Sequence, residues 1–439
     1  VIILLAWLKH KLGDIVFVLQ YFQVLRYIIS FVISIVLVRS ALPQADLGYY
    51  EMFLFIAVSI TTFWSGGIKN AMFSWYGRLS ATDQSSFPKL AFIVLLFLSL
   101  VVAVFIWLFS PWFFRLFSAD FLINYNAYLC IYIVLSVPLI ITETVFFLRK
   151  ETTNLLHYAH WSQLGLFVLT IIVAMISPSL TNFIYLLISW ALVRFLYLLY
   201  IIGLPTLDIT TWAKAFPFLI FSLPLMFNLL LGSAMDMIDG LFVSHFFDPS
   251  YFPVFRYGAR ELPLSGLLYA TLSVAMIPSI VEEGASSFCI SQRATKLMHY
   301  LFPFSIGMMI LSPFLFPILY DQNYQSSAHI FNIYLLIISS RVLLPQSFAL
   351  AFHDHKIIIW SGIIEILVNV GLSFWWMQIW GVYGLAFATV VAYFAQKLIL
   401  IVYNFKKYHI TLNQYIDIKY YFIYMGFLCL TFFITFNYL

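Results

Sequence analysis

Between Ser233 and Pro263 the chain carries five ionisable residues besides His245 and Asp248, in two sets. Asp236 and Asp239 stand three apart; Arg256 and Arg260 stand four apart, with Glu261 beside them. On helices, either spacing puts both groups on one face. Measured from a turn centred near Phe247–Asp248, Asp239 and Arg256 lie about eight residues to either side, and Asp236 and Arg260 about twelve. In a helical hairpin, equal distance from the turn is equal depth, at ~1.5 Å per residue. The chemistry on offer is ionic: a ladder pairing Asp239 with Arg256 and Asp236 with Arg260, Glu261 satisfying whichever arginine is left over. An arginine not consumed by its rung is available to an anion. An aspartate unpaired in some state is available to a coupling proton. Arg39 and Glu51 flank an earlier turn at matching depth, with the signs reversed.

Other cations lie deeper. Arg26, Arg194 and Arg341 fall near the middle of apolar runs, and Lys69 follows the triplet Ser65–Gly67. A charge at the centre of a spanning helix costs roughly 2.5–3.5 kcal/mol on insertion scales. Glu143 and Glu365 can partner only one or two of these cations, so the balance at mid-depth is positive. Lys69, Lys397 and partly Arg194 have a plainer reading, in which long stems carry the charge to the headgroups. "HDHK" (His353–Lys356) presents adjacent ligands that point in different directions, and it reads as a solvated loop. No phosphate-binding loop, nucleophile elbow or HExxH motif occurs, and no cofactor or metal is implied.

The elements that must position these groups follow from composition. The 439 residues are 63% hydrophobic and 9% charged, far from the roughly 45–50% apolar content of soluble chains. Apolar runs near 20 residues recur throughout, each long enough to cross ~30 Å of hydrocarbon as a helix. They are continuous rather than alternating, which excludes a β-barrel. The fold class is therefore an all-α polytopic membrane protein. Thirteen spans are expected, at 14–42, 46–78, 88–110, 121–148, 154–177, 181–204, 214–245, 250–282, 295–319, 326–352, 356–378, 381–404 and 418–438. Lys and Arg gather in alternate loops, 13 against 2 (Arg39 and Arg115). The side rich in positive charge is cytoplasmic, and so is the N-terminus. An odd count puts the C-terminus outside unless a fourteenth span follows. No polar loop exceeds about 15 residues, which leaves no room for a soluble catalytic domain. The basic residues lie in these short loops, so the net charge of +4 gives no reason to expect a nucleic acid partner.

Landmarks recur 202–206 residues apart. "SPWFFRLFSAD" from Ser110 is echoed by "SPFLFPILYDQ" from Ser312, and "LRKE" (Leu148–Glu151) by "HDHK". Arg194 precedes Tyr200 as Lys397 precedes Tyr403. The unit holds six helices, an even number, so both copies enter the membrane in the same direction. The expected organisation is a six-helix lobe at 1–205, a second at 206–410 and an additional helix at 411–439, the lobes parallel around a central cavity. That is a transporter plan.

The sequence also resembles a family. "RSALPQADLGYYEMF" (Arg39–Phe53) and, more specifically, "MIDGLFVSHFFDPSYFPVFRYGARELP" (Met237–Pro263) are similar to segments of polysaccharide (O-antigen type) flippases. These belong to the superfamily of the multidrug and toxic compound extrusion transporters. Gly48 and Tyr50 fit the family's first turn; Pro253 and Phe255 depart from it in the second lobe. The resemblance implies a twelve-to-fourteen-helix fold in the bacterial inner membrane, moving an undecaprenyl-pyrophosphate-linked oligosaccharide to the periplasmic leaflet. It implies lipid and lipid-linked sugar as partners, with a polysaccharide polymerase and chain-length machinery downstream. A pyrophosphate suits the positive balance, because charge-assisted guanidinium–phosphate bonds replace its lost hydration. Arg26 and Arg341 are the leading candidates for its cavity, with Lys69, Arg194, Arg256 and Arg260 behind them. A drug or metabolite antiporter of the same fold would favour an acid-lined cavity. A membrane polymerase or acyltransferase would need a long loop or a catalytic histidine pair. The orientation is open to direct test. A phosphatase that is active only outside the cytoplasm, fused at Pro178, is expected to be active, and the same fusion at Lys150 inactive; the reverse pattern would overturn the assignment.

Overall fold

The computed structural model describes residues 13–204, 209–260, 265–284 and 288–438, apart from a few side chains within helices, that of Asp236 among them. Glu261 lies outside the described residues, so neither it nor the Asp236 carboxylate enters the account below. The described residues are helical throughout and contain no strand. They divide into two compact units. The first runs to Ser233 and takes in Phe247–Ser250; the second comprises Ala234–Phe246 and the chain from Tyr251 onward.

The first unit is built from α1 (Ile15–Arg39), α2 (Gln44–Tyr76), α3 (Ala81–Leu108), α4 (Ser110–Leu116), α5 (Asn126–Ser136), α6 (Thr142–Leu148), α7 (Thr152–Ile176), α8 (Leu180–Ile202) and the start of α9 (Ile209–Phe246). Local chemistry sets the ends. The Asp14 carboxylate accepts the Val16 N–H at 2.9 Å and caps α1, satisfying one of the donors a helix start leaves free. Ser179 does the same for α8. Pro138 sits where the chain between α5 and α6 tightens into a 3-10 turn, Val137–Ile141, because proline offers no N–H to an α-helical bond. Val18, Phe22, Phe146, Leu155, Tyr158 and Ala159 form a buried core joining α1, α6 and α7.

The second unit continues from α9 through α10 (Tyr251–Gly258), α11 (Ser265–Ala275), α12 (Ile277–Glu283), α13 (Cys289–Leu319), α14 (Gln325–Leu335), α15 (Ile338–Arg341), α16 (Gln346–Ala351), α17 (His355–Trp380), α18 (Val382–Tyr408) and α19 (Ile418–Tyr438). A 3-10 turn, an 11-residue helix, short broken helices and two long helices follow one another here (Gln322–Tyr408) as they do from Asp120 to Ile202. The turns match in detail. Lys150 (φ 59°) and His353 (φ 59°) are both left-handed. In each case the next residue's N–H reaches five residues back: Glu151 to Phe146 O at 2.9 Å, Asp354 to Ala349 O at 2.8 Å. This is the bonding of a Schellman C-cap, made twice without glycine. Asp354 then accepts Lys407 (2.6 Å), Tyr403 (3.1 Å) and Tyr408. The Lys407 ammonium, with the Tyr408 hydroxyl, holds its carboxyl below the usual range, and "HDHK" is a helix clamp.

Ten described helices are long and apolar enough to cross a membrane, or eleven if Lys214–Leu230 and Gly232–Phe246 make one span. The spans expected at 250–282 and 326–352 are not single helices. The first is divided among α10, α11 and α12, and the second among α14, α15 and α16. Pro345, preceded by left-handed Leu344 (φ 47°), ends helical continuity in the latter. Large apolar side chains lie open on the outside, such as Met175 at 79% and Leu196 at 57% exposure, a surface that suits hydrocarbon rather than water. This is a multi-pass membrane protein. Tight packing is clearest at Gly384, where an added Cβ would stand 2.3 Å from the Trp376 carbonyl oxygen. Backbone cannot yield as a side chain tip can. Gly384→Ala is therefore expected to cost about 1–3 kcal/mol, read as a lowered Tm of the detergent-solubilised protein, whereas Gly362→Ala, with nothing within 4 Å, is expected to be neutral.

Candidate functional site

In the first unit the deep charges converge on one carboxylate. Glu143, in the first turn of α6, has a side chain only 3% exposed. It accepts Arg26 Nη2 of α1 at 2.7 Å and Lys69 Nζ of α2, with Gln23 Nε2 near both oxygens at 3.4 and 3.5 Å. The Arg26 guanidinium also lies over the Phe22 ring at 4.6 Å. Two cations against one acid leave a net positive site. The Arg26 side chain is 43% exposed, so the group is not sealed. Removing one partner of such a buried group leaves uncompensated charge, at roughly 3–5 kcal/mol.

Arg194 is solved differently. Its Nε and Nη2 donate to the Tyr158 hydroxyl at 3.2 and 2.9 Å. Tyr158 stacks on Tyr197 and neighbours Trp161. A phenol and its rings, rather than a carboxylate, support this guanidinium. The spacing of Arg194 in the sequence gives no hint of that partner.

The second unit holds two polar groups. Asp239, 4% exposed on α9, accepts Tyr334 (2.7 Å), Thr389 (2.7 Å) and Asn369 (3.4 Å) from α14, α18 and α17; Asn369 also donates to Thr389 at 2.9 Å. Glu365 and Lys397, each 6% exposed, lie within electrostatic reach of each other and of Arg341. Arg341 sits over the rings of Tyr393 at 4.3 Å and Tyr269 at 5.2 Å. Among these three, one acid faces two bases. A small pocket is lined by Tyr334, Tyr269, Ser265 and Arg341 among others, with room for about one water molecule.

Ion pairs among the described residues join Arg26 and Lys69 to Glu143, Arg149 to Glu151, Lys214 to Asp83 and Lys407 to Asp354. After the turn of the expected hairpin, α10 ends at Gly258, where an added Cβ would stand 2.5 Å from the Ser327 carbonyl oxygen of α14. α10 is thus held against α14, while Asp239 is drawn to Tyr334 on that same helix. Arg256 is in the last turn of α10, and Arg260, beyond its end, lies over the Tyr257 ring at 5.1 Å. Arg39 is in the last turn of α1, and Glu51 is buried in α2. The rung from Asp236 to Arg260 lies outside the described side chains.

Residues 36–329 match the family model described as "Polysaccharide biosynthesis protein", and the chain belongs to that family. The fold is shared with solved structures. One is titled "Lipid II flippase MurJ, inward closed conformation", with a TM-score of 0.67 and 15% identity over 95% of this chain and 97% of that one. Another, an "inward-facing conformation of a multidrug resistance MATE family transporter of the MOP superfamily", has a TM-score of 0.63 and 13% identity over 88% and 94%. No curated protein sequence matches the chain. Of the buried groups, Asp239 has the clearest energetic consequence. Tyr334→Phe removes one neutral donor from a buried carboxylate and is expected to cost about 1–3 kcal/mol. A Tm equal to that of the wild type would show the bond to be dispensable.

Proposed function

We propose that this protein is a flippase that carries an undecaprenyl-pyrophosphate-linked oligosaccharide from the cytoplasmic to the periplasmic leaflet of the bacterial inner membrane. Two parallel six-helix lobes, 1–205 and 206–410, with a further helix from 411 and a cytoplasmic N-terminus, would alternate access to a cationic cavity. The observation that carries the reading is the charge balance: Arg26 and Lys69 against Glu143, and Arg341 and Lys397 against Glu365. Sites that leave positive charge in low dielectric suit an anion, and a pyrophosphate is the anionic part of the lipid-linked sugar. Arg194, Arg256 and Arg260 are further substrate candidates, and Asp236, Asp239, Glu261, Arg39 and Glu51 are candidates for charge balance or coupling. Family membership supports a role in polysaccharide assembly, upstream of a polymerase and chain-length machinery. A drug or metabolite antiporter of the same fold is the second reading, since the second structural relative is a multidrug transporter. A cationic drug, however, would meet like charge in both of these groups.

Depletion of the protein is expected to accumulate complete lipid-linked repeat units on the cytoplasmic leaflet. Re-expression of wild type should clear them, and the double variant Arg26→Gln, Lys69→Gln should not. Unpolymerised repeats on the periplasmic face would instead point to an enzyme acting after translocation, and no accumulation at all would overturn the reading.

A further inference from the structure

We propose that Glu143 is an internal stand-in for the substrate's diphosphate: it holds Arg26 and Lys69 in the resting site and yields them when that anion enters. The proposal rests on the flippase reading and adds to it the residue that sets how tightly the anion is held and how readily it leaves.

Three features of the site converge. The carboxylate is nearly sealed while Arg26, one of its two cations, is 43% exposed, so an incoming anion meets the guanidinium from the open side without first unburying the acid. The three partners come from three elements, α1, α2 and α6, so Glu143 is the one group that ties the two cations together. α6 is a seven-residue helix entered through the 3-10 turn at Pro138, the irregular end of the helical run Asp120–Leu148, and it is closed by left-handed Lys150. Within that segment the hydroxyls of Thr142 and Thr144 are buried and make no hydrogen bond. Such groups are costly to leave unmatched, and they flank the carboxylate with donors for a second arrangement. A carboxylate and a phosphate compete for the same planar donors on arginine. In the resting site Glu143 supplies one negative charge to two cations. A diphosphate supplies more than one, and it displaces the acid by satisfying both cations at once.

The arrangement also answers a problem of release. Two bare cations in a site of low dielectric would hold a diphosphate too firmly to let it go. A tethered carboxylate that returns to them lowers the cost of departure.

The test titrates the purified full-length protein with inorganic pyrophosphate and, separately, with farnesyl pyrophosphate, reading affinity and ligand-induced change in Tm. Glu143→Gln is expected to bind both roughly ten- to a hundred-fold more tightly than wild type, the range of a charge-assisted competitor removed. Its Tm, low without ligand, is expected to rise more on binding than that of the wild type. Glu143→Asp keeps the charge one methylene short and is expected to fall between the two, giving a second folded variant. Unchanged or weaker affinity in both variants overturns the proposal and leaves the leaflet-accumulation result untouched. Tightening for inorganic pyrophosphate alone overturns the assignment to a lipid-borne diphosphate. Tightening for both ligands, with no lipid-linked intermediate accumulating on depletion, keeps Glu143 as an anion surrogate and removes the flippase reading instead.

Discussion

The cost of an ionised group away from water governs this molecule. In a chain with so little charge, every ion within the helices must be matched by something, and the structure shows two ways of doing so. Glu143 is matched by opposite charge, from Arg26 and Lys69. Asp239 is matched by neutral donors, from Tyr334, Thr389 and Asn369. The two solutions differ in kind: the Asp239 carboxylate takes hydroxyl and amide donors, while the ionic triad leaves positive charge over. Arg194, held by a phenol and aromatic rings, adds to that positive remainder.

The broken helices serve the same requirement. A continuous spanning helix satisfies its own backbone and offers side chains at fixed intervals. At Val137–Ile141 and between Arg341 and Gln346 the chain gives up that regularity, and ionisable groups stand beside both: Glu143 two residues after the first, Arg341 at the edge of the second. Irregular backbone at membrane depth is tolerated where protein buries it, and both segments are largely buried. The fold relatives share the architecture at 15% and 13% identity. At that distance the fold carries many chemistries.

The sequence by itself determined the solvent. Runs of apolar residues with few charges can be satisfied only by helices in hydrocarbon, and that argument needs no contact between distant residues. It also marked the deep cations, because a charge inside an apolar run is visible in one dimension. The turns at Lys150 and His353, alike in φ and hydrogen bonding, lie 203 residues apart, within the 202–206 spacing of the sequence landmarks. What only the tertiary structure decided is who meets whom. The span expected at 250–282 is divided among α10, α11 and α12. Tyr334, Thr389 and Asn369 carry no charge and no spacing that singles them out, yet they take the Asp239 carboxylate from three helices. Glu143 could be read as a partner for one or two cations, but that it ties Arg26 and Lys69 together depends on α1, α2 and α6 packing around one point. Burial cost is written in residue types and is legible along the chain. Pairing is a property of distances between elements far apart in sequence, and those are set by packing.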